Sequence, residues 1–399
     1  MTTQQQGLIT LVRSALTGQA YPLPADFDLA DALAQAKRHG ITALAFYGAC
    51  NCGIDANIPA MQQAFLLVCR GISIAEKQNA EADNLLRMLE DQGIDHLPLK
   101  GLQNRKLYPK PEMRSMGDAD ILIRTEQYDR IRPLMLEAGY QEGVVSDHEF
   151  VWKKPTLYAE LHRRLIPSYN RDYYAYFGDG WELAKPVSEG SARYTMAPED
   201  ELIYLFTHFA KHYRDSGIGI RHPVDIWVFE KHHPKLDRAY LQKELKKLQL
   251  WAFYRNTSRM LAVWFDGQSG DEKTDFMTNV IFTSGQYGKK ETNMVSAALK
   301  ETKTQKSLLL IRIRKILRSV FTPFPILREI YPVLEKAPIL VPFIWFYHLI
   351  VRLTDRKKVT TYAKLISVDQ GTISDYQRSL NYVGLDFNFG EDEPQIDQN

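Results

Sequence analysis

The stretch His96-Leu97-Pro98-Leu99-Lys100-Gly101, followed by Arg114-Ser115-Met116-Gly117-Asp118-Ala119-Asp120-Ile121-Leu122-Ile123, decides how this chain is read. The first piece has the pattern of a short buried strand ending in Lys-Gly, with Leu102 to Leu107 as a helical turn beyond it. The second has the pattern of a strand that carries two aspartates separated by one small residue. Side chains alternate across a strand, so Asp118 and Asp120 share one face while Ala119, Ile121 and Ile123 take the other. Neighbouring carboxylates repel. A divalent cation removes that penalty, and paired oxygen ligands are what Mg²⁺ uses when it also holds substrate phosphates. The pattern points to metal-dependent transfer of a nucleotidyl group.

A third carboxylate is expected from a neighbouring strand. Leu157-Tyr158-Ala159-Glu160-Leu161-His162 alternates so that Glu160 and His162 fall on one face and Leu157, Ala159 and Leu161 on the other. Glu160 is expected to ligate the cation beside an acceptor hydroxyl and to help deprotonate it. Lys100 and Gly101 stand where backbone N–H groups open a helix, a setting that favours phosphate. Lys100 would add a point charge to the β- and γ-phosphates, and Arg114, four residues before Asp118, could reach the same group with its planar fork. The plainer alternatives are a simple turn at Lys100-Gly101 and a surface glutamate at 160.

Leu99-Lys100-Gly101, Leu107-Tyr108-Pro109, an arginine and the Asp-x-Asp strand together resemble a bacterial nucleotidyltransferase family within the DNA polymerase β-like superfamily. The superfamily usually carries Gly-Ser at the start of the helix and a shorter gap to Asp-x-Asp. Here Lys100-Gly101 stands in that place and the gap is longer, as in the family. The resemblance runs from the long N-terminal helix to Asp225 and supports Glu160, since an acidic residue followed by Leu-His comes after the Asp-x-Asp strand there too. It implies an α+β fold, with a small mixed β-sheet core flanked by an N-terminal helical region and a C-terminal helical domain. It also implies Mg²⁺ or Mn²⁺ as cofactor and an NTP as substrate.

His208, Lys211 and His212 share one helix face at i, i+3 and i+4. The spacing suits zinc, but Phe209 and Ala210 replace the glutamate of a His-Glu-x-x-His protease. In the resembled family a His-x-x-Lys-His helix is followed by an arginine and an aspartate, here Arg221 and Asp225. That face is expected to line the nucleotide or acceptor pocket, with Lys211 and Arg221 holding phosphate. The plainer alternative is an Arg221–Asp225 salt bridge between helices. His162 is either a pocket contact or a satisfied buried histidine.

The chain of 399 residues has room for two or three domains, and 45% hydrophobic with 25% charged residues is ordinary for a globular protein. A net charge of +2 argues against a dedicated nucleic-acid binder. Cys50, Cys52 and Cys69 lack a second ligand pair for zinc and read as buried, reduced thiols. With no basic leader at Met1 to Gln6, a cytoplasmic protein is expected.

Helical periodicity predicts two short helices over Asp28 to Cys50, a long one over Pro59 to Gln92 closed by Gly93, and others over Thr125 to Ala138, Pro198 to Tyr213, Pro223 to Lys231 and Leu236 to Phe265. Strands are expected at Tyr140 to Gly143 and Glu149 to Lys153. The organisation reads as an N-terminal helical region (1–92), a nucleotidyltransferase core (93–195), a helical domain (196–320), a basic and aromatic extension (321–390) and a disordered tail (391–399).

Within 311–358, Ile311 to Arg318 interleaves apolar and basic residues, and Ile339 to Tyr347 is apolar and aromatic ahead of Arg352, Arg356, Lys357 and Lys358. The apolar run is shorter than a membrane span and contains proline. It suits either a core helix with a solvated basic face or peripheral contact with the inner face of the membrane. Three functions suit this sequence. One is an enzyme moving an NMP to an unidentified hydroxyl or phosphate of a small molecule, sugar, peptide or protein, with nucleic acid disfavoured. The others are a non-catalytic NTP-binding regulatory protein and a membrane-surface interaction protein.

Overall fold

The computed structural model describes residues 1–286, 288, 290–304, 324, 327, 331, 333–354 and 370–387. The chain forms two compact units, 1–288 together with 382–399, and 289–381.

The first unit is built on a five-stranded sheet: β1 (His96–Pro98), β2 (Ala119–Ile123), β3 (Gln141–Val145), β4 (Glu149–Lys153) and β5 (Tyr158–His162), in the order β1-β2-β5-β4-β3. β2 and β5 pair in parallel, and the other neighbours are antiparallel. The register sets Asp120 opposite Glu160 and Leu122 opposite His162.

One sheet face carries Ala119, Ile121, Ile123, Phe150, Trp152, Ala159 and Leu161, all buried in one apolar cluster. Helices cover that face. The helix over Pro59–Asp91 contributes Ala82, Leu85, Leu86 and Leu89, and the helix over Tyr128–Glu137 contributes Ile131 and Met135. Burial of each leucine contributes about 1.5–3 kcal/mol. The period of two then leaves Asp120, Glu160 and His162 on the opposite face. Packing the apolar set thus fixes the direction of the polar one.

Seven helices lie between Thr3 and Phe177: α1 (Thr3–Thr17), α2 (Leu29–Arg38), α3 (Thr42–Asn51), α4 (Pro59–Asp91), α5 (Gly101–Asn104), α6 (Tyr128–Glu137) and α7 (Arg171–Phe177). A further five follow: α8 (Pro198–Asp215), α9 (Arg221–His232), α10 (Arg238–Lys247), α11 (Trp251–Phe265) and α12 (Glu272–Ser284). The expected helices between Asp28 and Phe265 are present with boundaries shifted by a few residues. Thr125 does not cap α6; a 3₁₀ turn over Thr125–Gln127 leads into it instead.

α1 was not read from the sequence. Its polar start is a capping box of Thr2 and Gln5, and its buried residues Leu8, Leu11, Val12 and Ala15 follow. It packs closely on α3: a Cβ on Gly48 would lie 1.9 Å from the Leu11 carbonyl oxygen. The cysteine reading needs correction. All three thiols are free, but Cys50 and Cys69 are exposed and Cys52 is half-buried.

The second unit contains helices over Lys290–Thr304, Val333–Lys336 and Val341–Thr354, and most of the helix over Gln370–Val383. Among the described residues no helix is long and apolar enough to cross a membrane. Ile311 to Arg318, Arg356, Lys357, Lys358, the boundary drawn at 320 and the tail beyond 390 lie outside the described residues.

Candidate active site

The site starts at the end of β1. Leu99 N–H donates to the Asp120 carbonyl at 2.9 Å, and the chain then turns sharply at Lys100, with φ +43° and ψ −107°. That left-handed conformation favours glycine and costs a side-chain-bearing residue on the order of 1–3 kcal/mol. It is Lys100, not Gly101, that carries the strain. The α5 helix behind it is one turn long, so it supplies little of the dipole expected for a phosphate cradle.

The turn aims Lys100 at the carboxylate face. Lys100 Nζ donates to Asp120 Oδ1 at 2.7 Å, and His162 Nε2 lies 2.7 Å from the same oxygen. Burial works against ionisation of Asp120, but Lys100 and His162 outweigh it and hold the carboxyl below its usual range. Lys100 moves the other way, upward: burial lowers it, and the nearby Asp120 more than compensates.

Glu160 behaves oppositely. Burial, reinforced by Asp118, Asp120 and Glu149, pushes its carboxyl up to about 8. Asp118 is also raised, by burial and then by Asp120.

Asp120, Glu160 and His162 each bring a ligand atom within 4.8 Å of the others. Asp118 stands outside this group: it precedes the first paired residue of β2, one step beyond the ladder that sets Asp120 against Glu160. The carboxylate pair fits a divalent cation, because Asp120 and Glu160 converge there, His162 bonds to Asp120, and Glu160 is costly to ionise without a neighbouring positive charge.

Other expected residues lie around this centre. Arg114 is buried and grips Asp225 through both prongs, Nε to Oδ1 at 3.1 Å and Nη2 to Oδ2 at 2.9 Å, while Tyr108 donates to the same Oδ1 at 2.8 Å. The alternative pairing of Asp225 with Arg221 is thereby corrected. Those two residues sit on the same helix, α9, and Asp225 reaches back 111 positions to Arg114. Gly101 makes room for this pair: a Cβ there would lie 2.6 Å from Arg114 Nη1. Arg221 donates to the Ser115 carbonyl at 3.1 Å, and its buried Nε has no hydrogen-bond partner. Arg105 ties the long segment before Asp118 to α4, donating to Gln78, Asn79 and the Arg114 carbonyl.

His208 and His212 face each other across one turn of α8, Nε2 to Nε2 at 3.1 Å, and His222 of α9 stacks on His208 with ring centroids 5.9 Å apart. Burial lowers all three well below the ordinary histidine value, and Lys100 is among the charges adding to that effect. They are neutral. Lys211 contributes to the same lowering of His208 and His212.

Several residues of this site were not anticipated. His148 and Glu149 approach the far side of the His162 ring, with His148 Nε2 3.1 Å from His162 Nδ1. Tyr204, one turn before His208, is buried beside Lys100 and Asp120, whose charges act on its phenol. Asn104 is buried one turn after Lys100 with both side-chain amide atoms unbonded.

A family model described as "Uncharacterised nucleotidyltransferase" matches residues 25–266, from the segment before α2 to just past α11, and the chain belongs to that family. All the site residues described above lie within the match. Family membership carries a general function, nucleotidyl transfer from an NTP. No curated protein and no solved structure matches the chain.

Proposed function

We propose that this protein transfers an NMP from an NTP to an acceptor hydroxyl or phosphate, releasing pyrophosphate, with Asp118, Asp120 and Glu160 as the catalytic carboxylates. The observation that carries this reading is the parallel register of Asp120 and Glu160, with Lys100 and His162 fixed on Asp120. Asp118, Asp120 and Glu160 would hold Mg²⁺ or Mn²⁺, which neutralises charge on the phosphates. An acceptor oxygen attacks the α-phosphorus, its new bond replacing the one to the pyrophosphate oxygen. Glu160 would take the acceptor's proton once a cation beside it has displaced its own. Lys211 and Arg221 are assigned to the phosphates. The Arg221 Nε, buried and unbonded, is a donor awaiting an acceptor. Arg114, expected at the phosphates, is engaged by Asp225 through both prongs instead, so that pair and Gly101 hold the loop in place; Lys100 stays assigned to the phosphates, and His208 and His212 to the pocket lining. A reducing cytoplasm suits the three free thiols.

Incubation with α-labelled NTPs and Mg²⁺, with Asp118→Ala/Asp120→Ala as control, tests the reading. Label transfer or pyrophosphate release that is abolished in the control supports it. NTP binding with no turnover toward any acceptor class favours the regulatory alternative.

We also infer peripheral contact with an anionic membrane through 311–358. The near-neutral total hides an asymmetry. Residues 289–381 carry seventeen Lys and Arg against seven Asp and Glu, a balance of +10, which leaves the rest of the chain at −8. Phe343, Phe346, Tyr347 and Ile350 recur at i, i+3, i+4 and i+7 and are 73%, 66%, 57% and 45% exposed, while His348 on another side of that helix is buried. An exposed aromatic stripe in a basic unit suits lipid headgroups better than nucleic acid, which rewards charge but not an apolar face. Flotation with phosphatidylserine vesicles, but not phosphatidylcholine ones, is expected. Equal flotation of a Phe343→Ser/Phe346→Ser variant, or retention by RNA instead of vesicles, would overturn this inference.

A further inference from the structure

We propose that His148, Glu149 and His162 form a second metal site, distinct from the carboxylate cluster, that takes a borderline first-row cation such as Zn²⁺. Three donor atoms define it: His162 Nδ1 to His148 Nε2 at 3.1 Å, His162 Nδ1 to Glu149 Oε2 at 3.7 Å, and His148 Nε2 to Glu149 Oε2 at 3.7 Å. Ligands about 2.0–2.1 Å from a tetrahedral zinc stand about 3.3 Å from one another, so the triangle is close to the size zinc requires. Two imidazoles and one carboxylate suit zinc and its neighbours, whereas Mg²⁺ prefers oxygen throughout.

The tautomers fit as well. An ionised carboxylate only accepts hydrogen bonds, so the 2.7 Å contact with Asp120 places the proton of a neutral His162 on Nε2. That leaves the Nδ1 lone pair directed at His148 and Glu149. A metal-bound histidine usually donates its other N–H to a carboxylate, the arrangement found here.

The backbone holds the ligands in place. His148 sits in the β3–β4 turn, where its N–H and that of Glu149 donate to Ser146 Oγ, and its carbonyl accepts from Arg163 N–H at 2.8 Å. His162 is buried, while the His148 and Glu149 side chains are 15% and 24% exposed, so the fourth position faces the open side. Three protein ligands with an open position is the pattern of a zinc site that admits water or substrate. Among the described residues, the other histidine cluster, His208, His212 and His222, does not bring three ligand atoms within 4.8 Å of one another. The consequence for the neighbouring centre is positional. A cation on Nδ1 makes the His162 Nε2–H a stronger donor and so fixes Asp120.

The test uses the full chain, stripped with a chelator and titrated with Co²⁺ alone, whose visible d–d absorption reports low coordination number. One equivalent of Co²⁺ is expected to give the absorption and Zn²⁺ to displace it. His148→Gln and Glu149→Gln should each weaken binding by about 100-fold, while Cys69→Ser and His208→Gln leave it unchanged. X-ray absorption at the zinc edge on the wild-type protein does not depend on how a variant folds, and should count two imidazoles. Unchanged binding in both the His148 and Glu149 variants, dependence on His208, or an oxygen-only zinc shell would overturn the proposal.

Discussion

Lys100 Nζ lies 2.7 Å from Asp120 Oδ1, and the residue that reaches across to it does so from a left-handed backbone conformation. Strain and ion pair belong together. The turn at the end of β1 is what brings an ammonium group over the carboxylate face of β2 and β5. Lys100→Ala and Lys100→Gly both remove the ammonium, but only glycine relieves the backbone. Lys100→Gly is therefore expected to be more stable than Lys100→Ala by about 1 kcal/mol in urea unfolding, with both equally impaired in turnover. Equal stability of the two would remove strain from the account.

Gly101 and Arg114 are coupled by contact. Gly101→Ala sets a methyl group 2.6 Å from Arg114 Nη1, a prong that Asp225 does not bind, so the guanidinium must shift and its two bonds to Asp225 are strained. A loss of about 1–3 kcal/mol is expected from the displacement. Asp225→Asn, which strands a buried guanidinium, should cost about 3–5 kcal/mol. Chemical denaturation measures both; a neutral Gly101→Ala would show that the loop yields freely.

Glu160 gives stability a sign that can be checked. Its carboxyl moves from an ordinary 4.5 to about 8 because it is buried and flanked by Asp118 and Asp120. The folded state therefore retains a proton that the unfolded state has lost. The associated stability is fully present below about pH 4.5 and is lost as pH rises through about 8. In chelator-treated protein, Glu160→Gln should raise Tm above wild type by several degrees at about pH 9 and have little effect at about pH 4. Parallel Tm profiles would contradict the assignment.

The same shift links metal to protons. Near pH 7 Glu160 is mostly protonated, so a cation entering beside it should expel about one proton. Calorimetric titration with Mg²⁺ and NTP in buffers of different ionisation enthalpy measures that number. Zero proton release, with binding intact, would place the cation elsewhere.

The strand pattern was legible because alternation alone separates Asp120, Glu160 and His162 from Ile121, Ala159 and Leu161, and the sheet keeps that separation. The pairing of Arg114 with Asp225 was not, since nothing local marks which of several buried charges meets another 111 residues away. His148 and Glu149 were invisible for a related reason. They follow the largely exposed strand β3, and only the folding of β4 onto β5 brings them to His162. Tyr204 was hidden within the apolar stripe of α8, and the strain at Lys100 leaves no mark on composition or periodicity.

Asp120 on β2 and Glu160 on β5, with Asp118 just ahead of β2, are proposed to hold a divalent cation together with an NTP. Calorimetric binding of a non-hydrolysable NTP analogue to the full chain, with and without Mg²⁺, tests it most directly when repeated on Asp120→Asn/Glu160→Gln. Mg²⁺-dependent binding that is lost in the double variant is the predicted result. Binding that is equally tight in chelator, or unchanged in that variant, would contradict the account.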